Sequence, residues 1–295
     1  MAEVSQSPVT FHEMRGTIEP RAGTALTGDA LVLSNVERGC AFSPPRTGLC
    51  IRYVARGRED YRIGGRAYRL DAGHVMVATC DLGSEIDIRK ADPVGTLGLC
   101  ALLVGANDVA PWVFGPLVLS VDCTPLGPLM ADCTRALRTS HRQAKQATQL
   151  IAGLRARMPA LTHSVIAQAA SVDAAKATTR YDMVRRATLA QAYLHDTLNR
   201  AVDLEELGRA VGTSPFQLLR AFQHCFGDTP ASYHRKLRLE RALEEARRRQ
   251  VTIAHVADDY GFAGVSSFSH AYRRSFGHSP RQALAGLPGS PPASC

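Results

Sequence analysis

The chain has 295 residues, 45% of them hydrophobic and 21% charged, which suits two folded domains and excludes both a single small module and wholesale disorder. Its longest nearly uninterrupted apolar run, Leu97 to Gly105, is far short of the ~20 residues of a membrane-spanning helix, and Met1-Ala2-Glu3-Val4-Ser5 lacks an export signal, so no membrane partner and a cytoplasmic location are expected. Net charge is +8; residues 1–170 carry 18 Lys and Arg against 15 Asp and Glu and residues 171–295 carry 17 against 12, giving +3 and +5 and pointing to a polyanionic partner.

Residues 1–122 read as strands. Leu49–Arg56 alternates in part, and Gly64-Gly65 separates two β-favouring runs, Tyr61–Ile63 and Arg66–Tyr68, as in a tight hairpin. Further strands are expected at Val75–Thr79, Ser84–Arg89, Gly98–Val104 and Trp112–Val121, which at this spacing suggest a small barrel or sandwich. Seven arginines crowd between Arg46 and Arg69. On a regular strand Arg52, Arg56 and Arg58 share a face, where guanidinium groups suit an anionic ligand or a charged, solvated edge. The eight cysteines show no CxxC and no zinc-ligand spacing, and His12 and His74 stand alone, so neither a metal nor a catalytic site is expected.

From Leu126 to Leu154 apolar or small residues recur in steps of three and four, predicting one long amphipathic helix covered by its own barrel or by a second chain as a homodimer. Residues 123–180 form this helical region, with 158–180 reading as a linker or a frayed helix; residues 288–295 read as a disordered tail.

Residues 181–287 contain an internal repeat. Leu204, Leu207, Val211 and Gly212 recur 49 residues later as Ile253, Val256, Tyr260 and Gly261; Leu218, Ala221, Phe222, Phe226, Gly227 and Pro230 recur 50 later as Phe268, Ala271, Tyr272, Phe276, Gly277 and Pro280. Each copy has the layout of a helix-turn-helix, with first helices at Asp203–Val211 and Thr252–Tyr260 ended by glycine. The second helices turn Leu218 and Phe222, or Phe268 and Tyr272, inward. Their outer faces then hold Phe216, Leu219, Arg220 and Gln223 in the first copy and Val265, Ser266, Ser269, His270 and Arg273 in the second, residues able to meet base edges in a major groove. A central helix over 230–249, about 30 Å at ~1.5 Å per residue, separates the copies by close to one duplex turn; its many arginines and lysines suit either phosphates or solvated pairs such as Arg241 with Glu244 or Glu245.

These residues resemble a family. Pro230-Ala-Ser-Tyr233 through Leu239-Glu-Arg-Ala242, Ile253-Ala254-His-Val256 through Phe262, and Phe268 through Pro280 resemble the DNA-binding domain of the AraC/XylS transcription regulators. The resemblance implies an α+β chain in which a cupin-like β-barrel sensor and a long helix precede an all-α domain of two helix-turn-helix motifs. It also implies a double-stranded DNA operator, a small-molecule effector, a homodimer, possible contact with RNA polymerase and no enzymatic activity. The Arg52–Arg56 and Arg62–Arg66 spacings resemble the arginine pair of PilZ-type cyclic di-GMP receptors, with Asp81 to Ser84 as a partial companion segment. Arg52, Arg56, Arg62, Arg66, Arg69, Asp81 and Ser84 are therefore candidate ligand residues for cyclic di-GMP; an aldehyde, an organic acid, a redox signal through Cys50 or Cys80, and a purely structural barrel are the alternatives.

Overall fold

The computed structural model describes residues 9–15, 28–36, 41–42, 48–63, 66–79, 84–87, 95–104, 116–139, 143–172, 174 and 176–284. The chain divides into two compact units, residues 1–188 and 189–295.

In the first unit, β1 (Thr10–Arg15), β2 (Ala30–Val36), β4 (Leu49–Arg56), β7 (His74–Thr79), β9 (Thr96–Leu103) and β10 (Leu117–Ser120) form a six-stranded sheet of order β1-β2-β9-β4-β7-β10. A second sheet has the order β3-β8-β5-β6, built from β3 (Ala41–Phe42), β5 (Arg58–Ile63), β6 (Arg66–Asp71) and β8 (Ser84–Asp87). Both sheets are open among the described residues, so the expected closed barrel is corrected to two sheets. The Gly64-Gly65 hairpin is borne out by the register, in which Ile63 pairs with Arg66; the two glycines themselves lie outside the described residues. The strands at 75–79, 84–89, 98–104 and 112–121 are found at similar bounds, residues 88–89 and 112–115 lying outside the description.

The sequence reading passed over β1, β2 and β3 individually. β2 (ALVLSNV) is buried except at Asn35, and β7 and β9 are buried at every position, which erases the alternation that marks a half-exposed strand. The cause is coverage of this sheet by other elements: α1 (Gly127–Thr139) and α2 (Gln143–Ser171) pack on β1, β2, β4 and β9, and β6 of the second sheet contacts β4 and β7. The single helix expected over 126–154 is therefore two, and of the two readings of 158–180, linker or helix, helix holds for most of it, since α2 continues through Pro159 to Ser171 and α3 (Ala177–Asp196) follows. Of the expected stripe Leu126, Leu137, Ala147, Ile151 and Leu154 are buried within the one chain, Leu129 and Cys133 are half-buried and Ala144 is exposed. Most of the stripe thus serves intrachain packing.

The second unit begins within α3 and is all helical. It comprises α4 (Leu204–Val211), α5 (Pro215–Phe226), α6 (Pro230–Arg249), a 3₁₀ turn (Ile253–His255), α7 (Val265–Phe276) and α8 (Pro280–Leu284). Two apolar cores fill it. Leu194, Leu207, Val211, Leu218 and Phe222 build the first, with Tyr233 from the start of α6 against it. Leu239, Leu243, Ile253, Val256, Phe268 and Tyr272 build the second. The two halves of α6 thereby belong to different cores, and the helix ties both together.

Candidate nucleic-acid interface

The two repeats reproduce each other atom by atom at their turns. Thr213 N–H donates to Gly208 O and Gly212 N–H to Arg209 O; 49 residues on, Phe262 N–H donates to Ala257 O and Gly261 N–H to Asp258 O. Gly212 and Gly261 both have φ 69°, a left-handed backbone that favours glycine. At the far ends Gly227 and Gly277 close α5 and α7 with the same bond, to Gln223 O and Arg273 O.

The copies differ where the second has its extra residue. Asp203 caps α4 through Glu206 N–H, and Ser214 caps α5 through Gln217 N–H. In the second copy the expected helix over 252–260 is corrected to a 3₁₀ turn and successive turns, without a side-chain cap at Thr252. Gly264, at φ 114°, takes the place of Ser214 and delivers the chain into α7.

Burial along α5 and α7 follows one pattern at an offset of 50. Leu218 and Phe268 are fully buried, as are Phe222 and Tyr272 nearly so. Phe216, Arg220 and Gln223 are exposed with Leu219 half-buried; Val265, Ser266, His270 and Arg273 are exposed with Ser269 half-buried. All nine residues expected to read bases therefore lie away from the cores, on the outward sides of the two second helices. Phe216 is 67% exposed and Val265 44%, two of the three large hydrophobics exposed among the described residues, and both stand in the first turn of a second helix. The Arg220 guanidinium lies 5.9 Å from the Phe216 ring, a cation–π contact that limits its rotamers.

The central helix divides its cations between jobs. Arg238 is buried: its Nε and Nη2 donate to Tyr260 O at 2.9 and 2.7 Å, Nη2 reaches Gly261 O at 2.8 Å, and its guanidinium lies 4.7 Å from the Phe262 ring. It locks the second motif's turn onto α6 and is withdrawn from the candidates for phosphate contact. Positions 234, 238, 242 and 246 recur every four residues and are all buried, so its place on the inner stripe was readable beside Ala242 and Ala246. Arg247 donates to Ala283 O, Lys236 pairs with Asp228 at 2.7 Å, Arg241 with Glu244 at 3.1 Å and Arg248 with Glu245 at 2.6 Å. Arg235 is exposed.

His234 was not singled out from sequence. It is buried on α6 and its Nε2–H donates to Thr197 O at 2.7 Å; burial, with Arg238 and Arg200 nearby, pushes its pKa down to about 4.

The arginines of the first unit are not gathered into a clasp. Arg52 is 6% exposed, and its Nε donates to Glu59 Oε2 at 2.8 Å, with Nη2 on Glu59 Oε1 and, at 2.7 Å, on Ser34 Oγ. Tyr61 O–H also donates to Glu59. Burial would raise the Glu59 carboxyl pKa, but Arg52 and Tyr61 outweigh it and hold the group below its ordinary range. This ion pair joins β4 to β5 and so links the two sheets. A β-bulge between Val54 and Arg56 turns Arg56 out to solvent, where it meets Asn35, while Gly57 at φ 78° starts a new strand at Arg58. The expected shared face of Arg52, Arg56 and Arg58 is therefore corrected: one is buried, one exposed, and Arg58 pairs with Asp71 on the other sheet. Arg69 is exposed and pairs with Asp60 at 3.2 Å. The side chains of Arg62, Arg66 and Ser84, and all of Arg46, Cys80, Asp81 and the tail 288–295, lie outside the described residues. His12 on β1 and His74 on β7 belong to strands separated by β2, β9 and β4, so the sheet order keeps them apart.

Comparison with known proteins agrees with the helical unit. A family profile described as a helix-turn-helix domain matches residues 207–286. The chain is 37% identical over 97 residues to the HTH-type transcriptional regulator GbdR of Pseudomonas aeruginosa, covering 33% of this chain and 26% of that protein. It is 33% identical over 96 residues to the XylDLEGF operon transcriptional activator 2 of Pseudomonas putida, covering 32% of this chain and 61% of that protein. Thus the chain spans about a quarter of the length of the GbdR relatives it matches. Among solved structures, an AraC-type transcriptional regulator from Chromobacterium violaceum is 28% identical with a TM-score of 0.33, covering 35% of this chain and 95% of that one. These relatives are transcriptional regulators rather than enzymes.

Proposed function

We propose that this chain is a sequence-specific transcription regulator of the AraC/XylS kind whose α5 and α7 each read bases in a major groove, a reading supported by the helix-turn-helix profile over residues 207–286. The observation that carries the reading is the repeated burial pattern, which leaves the outer faces of two groove-sized helices open at equivalent positions. The Arg220 fork suits guanine O6 and N7, Ser266 and Ser269 suit either donors or acceptors, and Phe216 and Val265 suit thymine methyl groups. Exposing a phenylalanine to water is unfavourable in the free protein, and a methyl contact in the groove offsets that. Exposed cations such as Arg235 and Arg273 suit phosphates.

The test is binding of full-length protein to a selected operator and its single-base variants. Arg220→Ala is expected to cost about 1–3 kcal/mol at one base position with little change on random DNA. Equal losses on operator and random DNA contradict base reading.

The first unit is read as the sensor of a small anionic effector. The support that survives the structure is the exposed Arg56 and Arg69 and the Arg62–Arg66 spacing across the β5–β6 hairpin. Cyclic di-GMP is the first ligand to titrate, and the absence of heat at micromolar protein removes it. The effector would act by population shift, binding best to the arrangement that suits the operator, so operator DNA should tighten effector binding in return. The proposal extends to a cytoplasmic homodimer on two half-sites in contact with RNA polymerase, in keeping with a chain in which no helix among the described residues is long and apolar enough to cross a membrane.

A further inference from the structure

We propose that Cys50 and Cys100 form a reactive dithiol that hydroperoxides convert to an intrachain disulfide joining β4 to β9. The two Sγ atoms lie 3.4 Å apart, in hydrogen-bonding contact across neighbouring strands. Cys50 stands opposite Leu102 and Cys100 opposite Arg52, so the thiols are diagonal neighbours on the face that also carries Ala30, Val32 and Leu102. Cys100 is 9% exposed and Cys50 half-buried, which leaves a narrow approach suited to a small oxidant.

The setting favours thiolate at one sulfur. The hydrogen bond from Cys50 lowers the Cys100 pKa, and the Arg52 guanidinium acts in the same direction, against the opposing effects of burial and of the Glu59 carboxylate. Cys133 and Cys225 make the contrast: burial alone pushes their thiols up to about 11 and about 12, so they stay protonated and inert. Cys80, an alternative in the sequence reading, lies outside the described residues, and the structure pairs Cys50 with Cys100 instead.

The chemistry balances with one hydroperoxide. The Cys100 thiolate attacks the distal peroxide oxygen, the O–O bond breaks, and the alkoxide or hydroxide takes a proton to leave as alcohol or water. Cys100 is then a sulfenic acid. The Cys50 sulfur displaces hydroxide from it, the Cys50 proton completes a water molecule, and an S–S bond forms. The two thiols together lose two electrons and the peroxide gains them.

Bond formation requires the sulfurs to close from 3.4 Å to about 2.05 Å. Diagonal strand neighbours have Cα atoms about 7–8 Å apart, beyond the ~6.8 Å upper end for disulfides, so β4 and β9 must draw together. A bond made under that strain is readily reduced, which suits a reversible signal better than a structural staple. Because β9 also carries α2, the movement reaches the helical layer of the same unit.

The proposal is independent of the base-reading helices and is tested without DNA. Full-length protein is treated with a slight excess of hydrogen peroxide, freed of peroxide, unfolded in urea with N-ethylmaleimide present, digested without reductant and analysed by mass spectrometry. A linked peptide pair containing Cys50 and Cys100, lighter by two hydrogens and released by dithiothreitol, is expected while Cys133 and Cys225 remain alkylated. In Cys50→Ser the link is lost, and dimedone traps the sulfenic acid on Cys100. A wild-type protein in which Cys100 stays alkylated, or is oxidised past sulfenic acid with no link, overturns the proposal whether or not the variant folds.

Discussion

Acidification should unfasten the DNA-reading unit through His234. In the folded chain its imidazole is buried and donates Nε2–H to Thr197 O, with pKa pushed down to about 4. In the unfolded chain it titrates near 6.5. The unfolded state therefore binds the proton first as pH falls, so this group's contribution to stability is present above about 6.5 and is lost as pH drops toward 4. The gap amounts to about 2 kcal/mol lost at pH 5 and about 3.4 kcal/mol once both states are protonated. Glu206, held near 2 by Arg200 and Tyr193, contributes stability that is lost only as pH falls through about 4.5, where the unfolded carboxylate takes up its proton, so it adds little between pH 7.5 and 5. The assay is urea unfolding at pH 7.5, 6, 5 and 4.5, followed by hydrogen-exchange pulses at one fixed pH, read on peptides from α6. Comparison with His234→Gln subtracts all other titrating groups. Wild type should lose about 2 kcal/mol more than the variant between pH 7.5 and 5. Parallel losses in the two proteins would refute the reasoning.

Two substitutions probe the framework. Gly261 and Gly212 share φ 69°, but a Cβ on Gly261 would lie 2.5 Å from Asn199 O whereas Gly212 faces open space. Alanine at 212 should cost about 1–2 kcal/mol from its backbone alone and alanine at 261 clearly more, as measured by urea midpoints; equal shifts contradict the packing described. In the first unit, Glu59→Ala leaves the Arg52 charge buried and should cost roughly 3–5 kcal/mol, while Arg52→Met with Glu59→Leu should recover most of it. A single-variant loss under about 1 kcal/mol in thermal or urea unfolding would show that the pair is not desolvated as described.

The helical unit was legible in the sequence because its signals are local. Glycines at fixed offsets, the start of the first helix at Asp203, and the three- and four-residue spacing of buried positions each depend on neighbours a turn away. What escaped was contact over distance. Spacing puts Arg238 on the inner stripe of α6, but what it does there depends on the distant carbonyls of Tyr260 and Gly261, and His234 gains meaning only from Thr197. In the first unit the chain order hides the sheet order. β4 and β9 are about 45 positions apart yet adjacent, so neither the Cys50–Cys100 pair nor the coverage that flattens the pattern of β9 follows from spacing. The arginine run failed as a face for a similar reason, since one bulge and one glycine turn divide it among three surroundings. Gly98 could have hinted at this: a Cβ there would sit 2.4 Å from Arg52 Nη2, so a glycine inside an apolar strand marks where the guanidinium passes.

The most direct test of two-helix reading compares Arg220→Ala and His270→Ala on a complete set of single-base operator variants. Each variant should lose discrimination at its own base positions, the two sets lying about 10 base pairs apart on one face of the duplex. Loss of discrimination at the same positions for both, or uniform weakening across every sequence, would contradict it.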